Sequence, residues 1–180
     1  KSAGLTFSAI PSWFLVPPKD YFNAKFKLTR NGETVYLVNP SGTIIDQKTY
    51  PAMSSNNSYC RKPDGSSTWC FVSTPTPDAT NNSSICYSGY ANPPVFSVQG
   101  GYYNSTRTLT LSNSTPGGVI RYTKNGDDPT ASSPQYTSAI TISTSTSVRA
   151  KVFASGYLPS EVVTNTYLIG ESTQLPSFSI

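Results

Sequence analysis

Asp127 and Asp128 are the only adjacent carboxylates in the chain, and they follow Asn125 closely enough for the three side chains to offer oxygens to one ion. Hard cations such as Ca²⁺ take oxygen ligands, so Asn125, Asp127 and Asp128 form the candidate metal site. Such an ion wants about six or more oxygens, which this stretch does not bring together on its own. Turn chemistry accounts for the same residues more fully. Asn-Gly opens a turn, Asp side chains cap nearby backbone amides, and Pro129 fixes the chain that follows.

A second chemistry lies in the tyrosines. Tyr102, Tyr103 and Tyr157 adjoin glycines in expected turns, where exposed rings could stack on the apolar faces of sugars. They are the candidate ligand-binding residues. Tyr122 and Tyr136, by contrast, fit a core with their phenol groups meeting backbone at its edge. Trp69 is expected to pack against Tyr59 across a hairpin.

Cys60, Cys70 and Cys86 are too few and too widely spaced for a metal cage. The turn at 63–66 lies between two strand-like runs and would bring Cys60 near Cys70, so a Cys60–Cys70 disulfide is expected. A Cys70–Cys86 pair is the rival, and three buried thiols are the third possibility.

The chain has no histidine, which removes the commonest general base and the triads built on it. Asp20, Glu33, Asp46, Asp64, Asp78, Glu161 and Glu171 are scattered, and nothing local pairs them as a glycosidase would. No enzyme activity and no cofactor are expected. The formal net charge is +4, but the basic residues are dispersed, so no nucleic-acid partner is expected. No apolar run reaches the roughly 18 residues of a membrane span. The opening at Lys1 reads as a processed or excised boundary. Asn104-Ser105-Thr106 and Asn113-Ser114-Thr115 match the N-glycosylation pattern, a chance match in a chain so rich in Asn, Ser and Thr.

The elements that must position these groups are strands. Charged residues make up only 12% of the 180 residues, and apart from 19–23, which reads as a short turn, no stretch sustains a helical apolar period, so helix content should be very low. Short strand-like runs occupy 13–16, 24–28, 34–38, 43–46, 58–61 and 68–72. The stretch from 73 to 84 abandons alternation, and its prolines exclude a central strand. Residues 87–94, with Gly89 and Pro93-Pro94, read as a linker.

A second series follows at 95–98, 106–112, 119–123, 139–142, 147–154 and 162–169. Its clearest member sends Val148, Ala150, Val152 and Ala154 to one face and Arg149 and Lys151 to the other. Short strands with turn signals every roughly 8–12 residues indicate an immunoglobulin-like sandwich. The fold class is therefore all-β, with two such domains in tandem at 1–86 and 95–170, and 171–180 opening a tail or a further domain.

The second half carries Phe96-Ser97, Gly100-Gly101-Tyr102-Tyr103, Thr108-Leu109-Thr110-Leu111, Ile120-Arg121-Tyr122-Thr123, Asn125-Gly126-Asp127-Asp128-Pro129-Thr130, Ser133, Tyr136, Val148-Arg149-Ala150, Gly156, Pro159-Ser160 and Tyr167. With these residues it resembles the fibronectin type III-associated modules of bacterial surface proteins, akin to the C-terminal domain of chitobiases. Asn125 stands where that family more often has Asp.

The first half carries Phe26-Lys27-Leu28, Gly32-Glu33-Thr34-Val35-Tyr36-Leu37, Gly42-Thr43-Ile44-Ile45-Asp46, Tyr50-Pro51, Ser58-Tyr59, Arg61, Pro63-Asp64-Gly65, Trp69 and Thr74-Pro75-Thr76-Pro77. It resembles a lamin-tail domain over 24–82. That family's opening strand is not recognisable in 1–20, which implies a truncated or altered start. Leu175-Pro176-Ser177-Phe178-Ser179-Ile180 is similar to the opening of spore-coat-H-type kinase domains of Bacteroidetes proteins.

The resemblances imply a non-catalytic structural and protein-interaction module of a larger secreted or cell-surface protein. It would space or anchor a catalytic neighbour, with other domains of the same polypeptide as partners. The alternative is a carbohydrate-binding module using the exposed tyrosines on a cell-surface polysaccharide.

Overall fold

The computed structural model describes residues 15–16, 21–22, 27–54, 56–77 and 79–171. The expectations for 24–26, for most of 1–20 and for the kinase-like tail lie outside these residues. The chain divides into two compact units, Lys1–Tyr59 and Cys60–Ile180. Every regular element described is a strand, as the composition implied.

In the first unit, β1 (Leu15–Val16) pairs antiparallel with β2 (Tyr21–Phe22), and β3 (Glu33–Val38) pairs antiparallel with β4 (Ile44–Tyr50). The β3–β4 turn is held by Asn39, whose Oδ1 accepts N–H bonds from Ser41 at 3.1 Å and Thr43 at 2.8 Å. That is the side-chain turn mimicry expected of Asn. At the other end Tyr50 donates its O–H to the Thr29 carbonyl at 2.8 Å and to Glu33 Oε1 at 2.9 Å. Among the described residues this unit consists of two-stranded ladders.

β5 (Ser58–Arg61) and β6 (Trp69–Val72) form a further two-stranded ladder. Lys62 N–H bonds the Thr68 carbonyl at 3.0 Å. Counting back from that bond sets Arg61 opposite Trp69 and Cys60 opposite Cys70. Arg61, not Tyr59, therefore stands directly opposite Trp69 in the register, with its guanidinium 4.9 Å from the ring centroid.

The second unit contains a two-layer sandwich. One layer is a four-stranded sheet in the order β11 (Val119–Thr123), β13 (Thr146–Phe153), β14 (Val163–Ile169), β8 (Gly101–Tyr103). The other joins β7 (Val95–Phe96) to β10 (Leu111–Ser112) and β9 (Arg107–Leu109) to β12 (Ile140–Ile142). Thr110 sits between β9 and β10 and keeps the ladder continuous. Its carbonyl accepts Ser97 N–H at 3.0 Å, and its own N–H reaches Ser97 Oγ at 2.9 Å.

The core lies between the two layers. Phe96, Leu109, Leu111, Ile140 and Ile142 come from one sheet, and Ile120, Val148, Ala150, Val152 and Tyr167 from the other. On β13 the period of two places Val148, Ala150 and Val152 inward at 0% exposure, while Arg149 and Lys151 face out, as the sequence pattern predicted. Burying such a row removes apolar surface from water at about 25 cal/mol per Å², and this row is the main link between sequence and fold.

Two strands escaped the sequence reading: β2, in a stretch that read as a short turn, and β8. β8 looked like a Gly-Gly turn but pairs parallel with β14, Gly101 against Tyr167 and Tyr103 against Ile169. Gly100 permits that approach, because a Cβ there would stand 2.9 Å from the Thr166 carbonyl oxygen.

Residues 87–94 do not run free as a linker would. Tyr87 exchanges both backbone bonds with Phe71, Ala91 donates to the Leu158 carbonyl at 2.8 Å, and Ala91 is 2% exposed within the sandwich core. Small and apolar residues here follow the wall of the sandwich, so the glycine and proline signals mark bends in an anchored strip.

Candidate functional site

The Asn-Gly segment forms a loop at the edge of the four-stranded sheet. β11 ends at Thr123, Gly126 takes φ +88°, and the chain returns so that Tyr136 N–H bonds the Ile120 carbonyl at 2.9 Å and Tyr122 N–H the Pro134 carbonyl at 3.0 Å. Only the glycine of the Asn-Gly pair adopts the left-handed region.

The oxygens proposed for a metal already have protein partners. Asp128 is ion-paired with Arg149, and Arg149 also donates to the Gly126 carbonyl at 2.6 Å. Asn125 Nδ2 donates to the Asp127 carboxylate at 2.6 Å, and Asn125 Oδ1 accepts Asp127 N–H at 3.2 Å. Thr123 Oγ1 donates to the Asp127 carbonyl at 2.6 Å. A guanidinium thus stands where a cation would have to bind. Among the described residues, no three of His, Cys, Asp or Glu gather as a metal group would.

Two results follow from the turn account. Millimolar Ca²⁺ should leave the thermal midpoint unchanged, and Asp128→Asn should cost no more than about 1 kcal/mol, since the carboxylate is largely exposed. Thermal melts with and without Ca²⁺ check both; a rise of several degrees on adding the ion would favour a metal site.

The three candidate tyrosines are not brought together. Tyr102 and Tyr103 are consecutive on β8, so their rings leave opposite faces of the sheet. Tyr102 is exposed at 60%. Tyr103 is half-buried, donates its O–H to the Gln99 carbonyl at 2.6 Å, and is covered by the Arg107 guanidinium 4.5 Å from its ring centroid. Tyr157 packs on the core in the loop between β13 and β14. β8 pairs with the far end of β14, so Tyr157 stands at the opposite end of the sheet from the Tyr102–Tyr103 pair. Tyr122 and Tyr136 are half-buried against the core, as expected of rings whose phenol groups meet backbone at its edge.

The disulfide joins Cys70 to Cys86, with Cα atoms 5.4 Å apart, and Cys60 is a free buried thiol. The expected hairpin exists and brings Cys60 and Cys70 into one buried cluster with Val72. The pairing differs because the loop after β6 folds back. Phe71 and Tyr87 form a two-bond bridge that carries Cys86 alongside Cys70.

That return is organised by Asp64. Its carboxylate accepts Thr80 Oγ1–H at 2.6 Å and Asn81 N–H at 3.1 Å, while its own N–H donates to Asn82 Oδ1 at 2.8 Å. Lys62 adds a bond to the Ser84 carbonyl. The hydroxyl and amide donors hold the Asp64 carboxyl below its ordinary pKa. The bonds it makes are therefore present above the usual carboxylate range and are lost as pH falls through the lowered value. Burial, with a contribution from the Asp64 charge, pushes the Cys60 thiol up, which keeps it protonated and weakly nucleophilic at neutral pH.

The groups singled out for chemistry thus hold bends, edges and a cross-link. No curated protein and no solved structure matches the chain. Within the sandwich, residues 98–164, from just after β7 into β14, match the family model of the Chitobiase/beta-hexosaminidase C-terminal domain, a non-catalytic accessory domain of immunoglobulin-like fold.

Proposed function

We propose that the chain is a non-catalytic spacing and anchoring element of a larger secreted or cell-surface protein. The observation that carries this reading is the match of the sandwich to an accessory domain, in a segment whose polar side chains are engaged with one another. The Cys70–Cys86 disulfide supports an oxidising compartment outside the cytoplasm. The lamin-tail-like first half and a following kinase-like domain, of the kind found in Bacteroidetes surface proteins, are part of the same proposal.

The test is made in the full-length polypeptide. Replacing residues 95–170 by a Gly/Ser linker of equal length should impair surface retention or work on a large substrate, and leave turnover of a small soluble substrate intact. Loss of small-substrate turnover in a folded variant would place catalytic groups in this segment and defeat the proposal.

A further inference from the structure

The outer face of the four-stranded sheet carries a charge pattern that the fold does not neutralise. The β11–β13 register sets Arg121 directly against Lys151, and like charges facing each other across an antiparallel pair are destabilising. The next cation along β13, Arg149, is neutralised by Asp128. Arg121 and Lys151 have no acidic partner among the described residues. Arg121 donates to the Ser133 carbonyl at 3.0 Å, and the Lys151 ammonium lies 5.9 Å from the Phe153 ring centroid. Phe153 is half-exposed on the same face, and Thr164, opposite Arg149 on β14, adds an exposed hydroxyl.

We propose that this face binds an acidic polysaccharide, a chain of uronate or sulfated sugars whose charges settle on Arg121 and Lys151. The chemistry matches piece by piece. The two cations meet the acid groups, the Phe153 ring meets an apolar sugar face, and the threonine hydroxyl meets sugar hydroxyls. An extended acidic peptide is served less well, because the backbone groups of a sheet face are already spent on the ladder and a strand needs an edge. A nucleic acid would call for a longer run of cations than two. The proposal goes beyond the spacer reading, which stands if this surface binds nothing.

The test is affinity electrophoresis of the 180-residue chain in gels containing polygalacturonate, dextran sulfate, dextran or poly-L-glutamate. Retardation by either acidic glycan and not by dextran is expected. The Arg121→Gln/Lys151→Gln double variant should bind about fivefold or more weakly, while Lys124→Gln, which removes an exposed charge on the neighbouring turn, should bind as the parent does. Thermal midpoints separate binding from folding: Lys151→Gln should keep or raise the midpoint, because it relieves a like-charge pair. Failure of both acidic glycans, undiminished binding by the double variant, equal retardation by poly-L-glutamate, or a midpoint several degrees lower in Lys151→Gln would each overturn the proposal.

Discussion

Replacing Tyr167 by Ala is expected to lower the stability of the second unit by about 3–5 kcal/mol, the range for truncating a large buried aromatic side chain. Tyr167 is 0% exposed in the middle of the core. It lies on β14, between β13 and the parallel strand β8, so its ring touches the point where the sheet takes its least local partner. The ring is 6.2 Å from that of Tyr103, and its O–H donates to the Val98 carbonyl at 2.7 Å across 69 residues of sequence. Losing the ring leaves a cavity, and losing the hydroxyl leaves a carbonyl unpaired. Tyr167→Phe isolates the second loss, which should cost about 1–3 kcal/mol.

Burial, with a smaller contribution from Tyr103, pushes the Tyr167 phenol up from 10.0 to about 12. A raised folded value means that the neutral phenol contributes stability in full below pH 10.0, and that this contribution fades as pH climbs toward about 12. Urea titrations at neutral and alkaline pH measure both effects, and Tyr167→Phe should remove this part of the alkaline loss. A Tyr167→Ala variant within about 1 kcal/mol of the parent would contradict the core assignment.

Opening the Cys70–Cys86 bond is the second large effect. The bond closes a loop with a sequence separation of 16, for which chain entropy alone gives about 3 kcal/mol. Without it, the 73–86 loop is held by the Asp64 bonds and the Phe71–Tyr87 bridge. Cys86→Ser should therefore reduce stability by about 2–4 kcal/mol and expose the loop to protease before the sandwich opens. Peptide mapping without reduction should recover Cys70 linked to Cys86. Cys60 should take up an alkylating reagent only after unfolding, because it is buried and its thiol is held protonated. A mapped Cys60–Cys70 link would overturn the pairing.

Most of the sandwich was legible because its signals are local. The alternation on β13, the apolar pairs Leu109/Leu111 and Ile140/Ile142, and the turn at Gly126 each announce themselves within a few residues. What stayed hidden depends on distant partners. β8 was obscured because the glycines that let it close on β14 also spell a turn, and only Thr166, far along the chain, explains Gly100. The disulfide partner depended on a Ser- and Asn-rich loop whose return rests on Asp64, and no period in the sequence records that return. The linker expectation failed for a related reason. Gly89 and the proline pair signal bends, and the Leu158 backbone that holds them lies almost 70 residues on. The tyrosine platform dissolved once β8 was a strand, since neighbours on a strand cannot share a face.

Residues 60–171 form one anchored unit whose polar loops hold the fold. Native-state amide hydrogen exchange on the intact chain tests this most directly. The account predicts that Tyr87, Ala91 and Leu158 amides are protected within about 1–2 kcal/mol of the Val148 and Val152 amides at the centre of β13, and that reduction of the disulfide lowers Tyr87 first. Exchange at Tyr87 and Ala91 near unprotected rates, with Val148 and Val152 still slow, would contradict it and restore a free linker between independent parts.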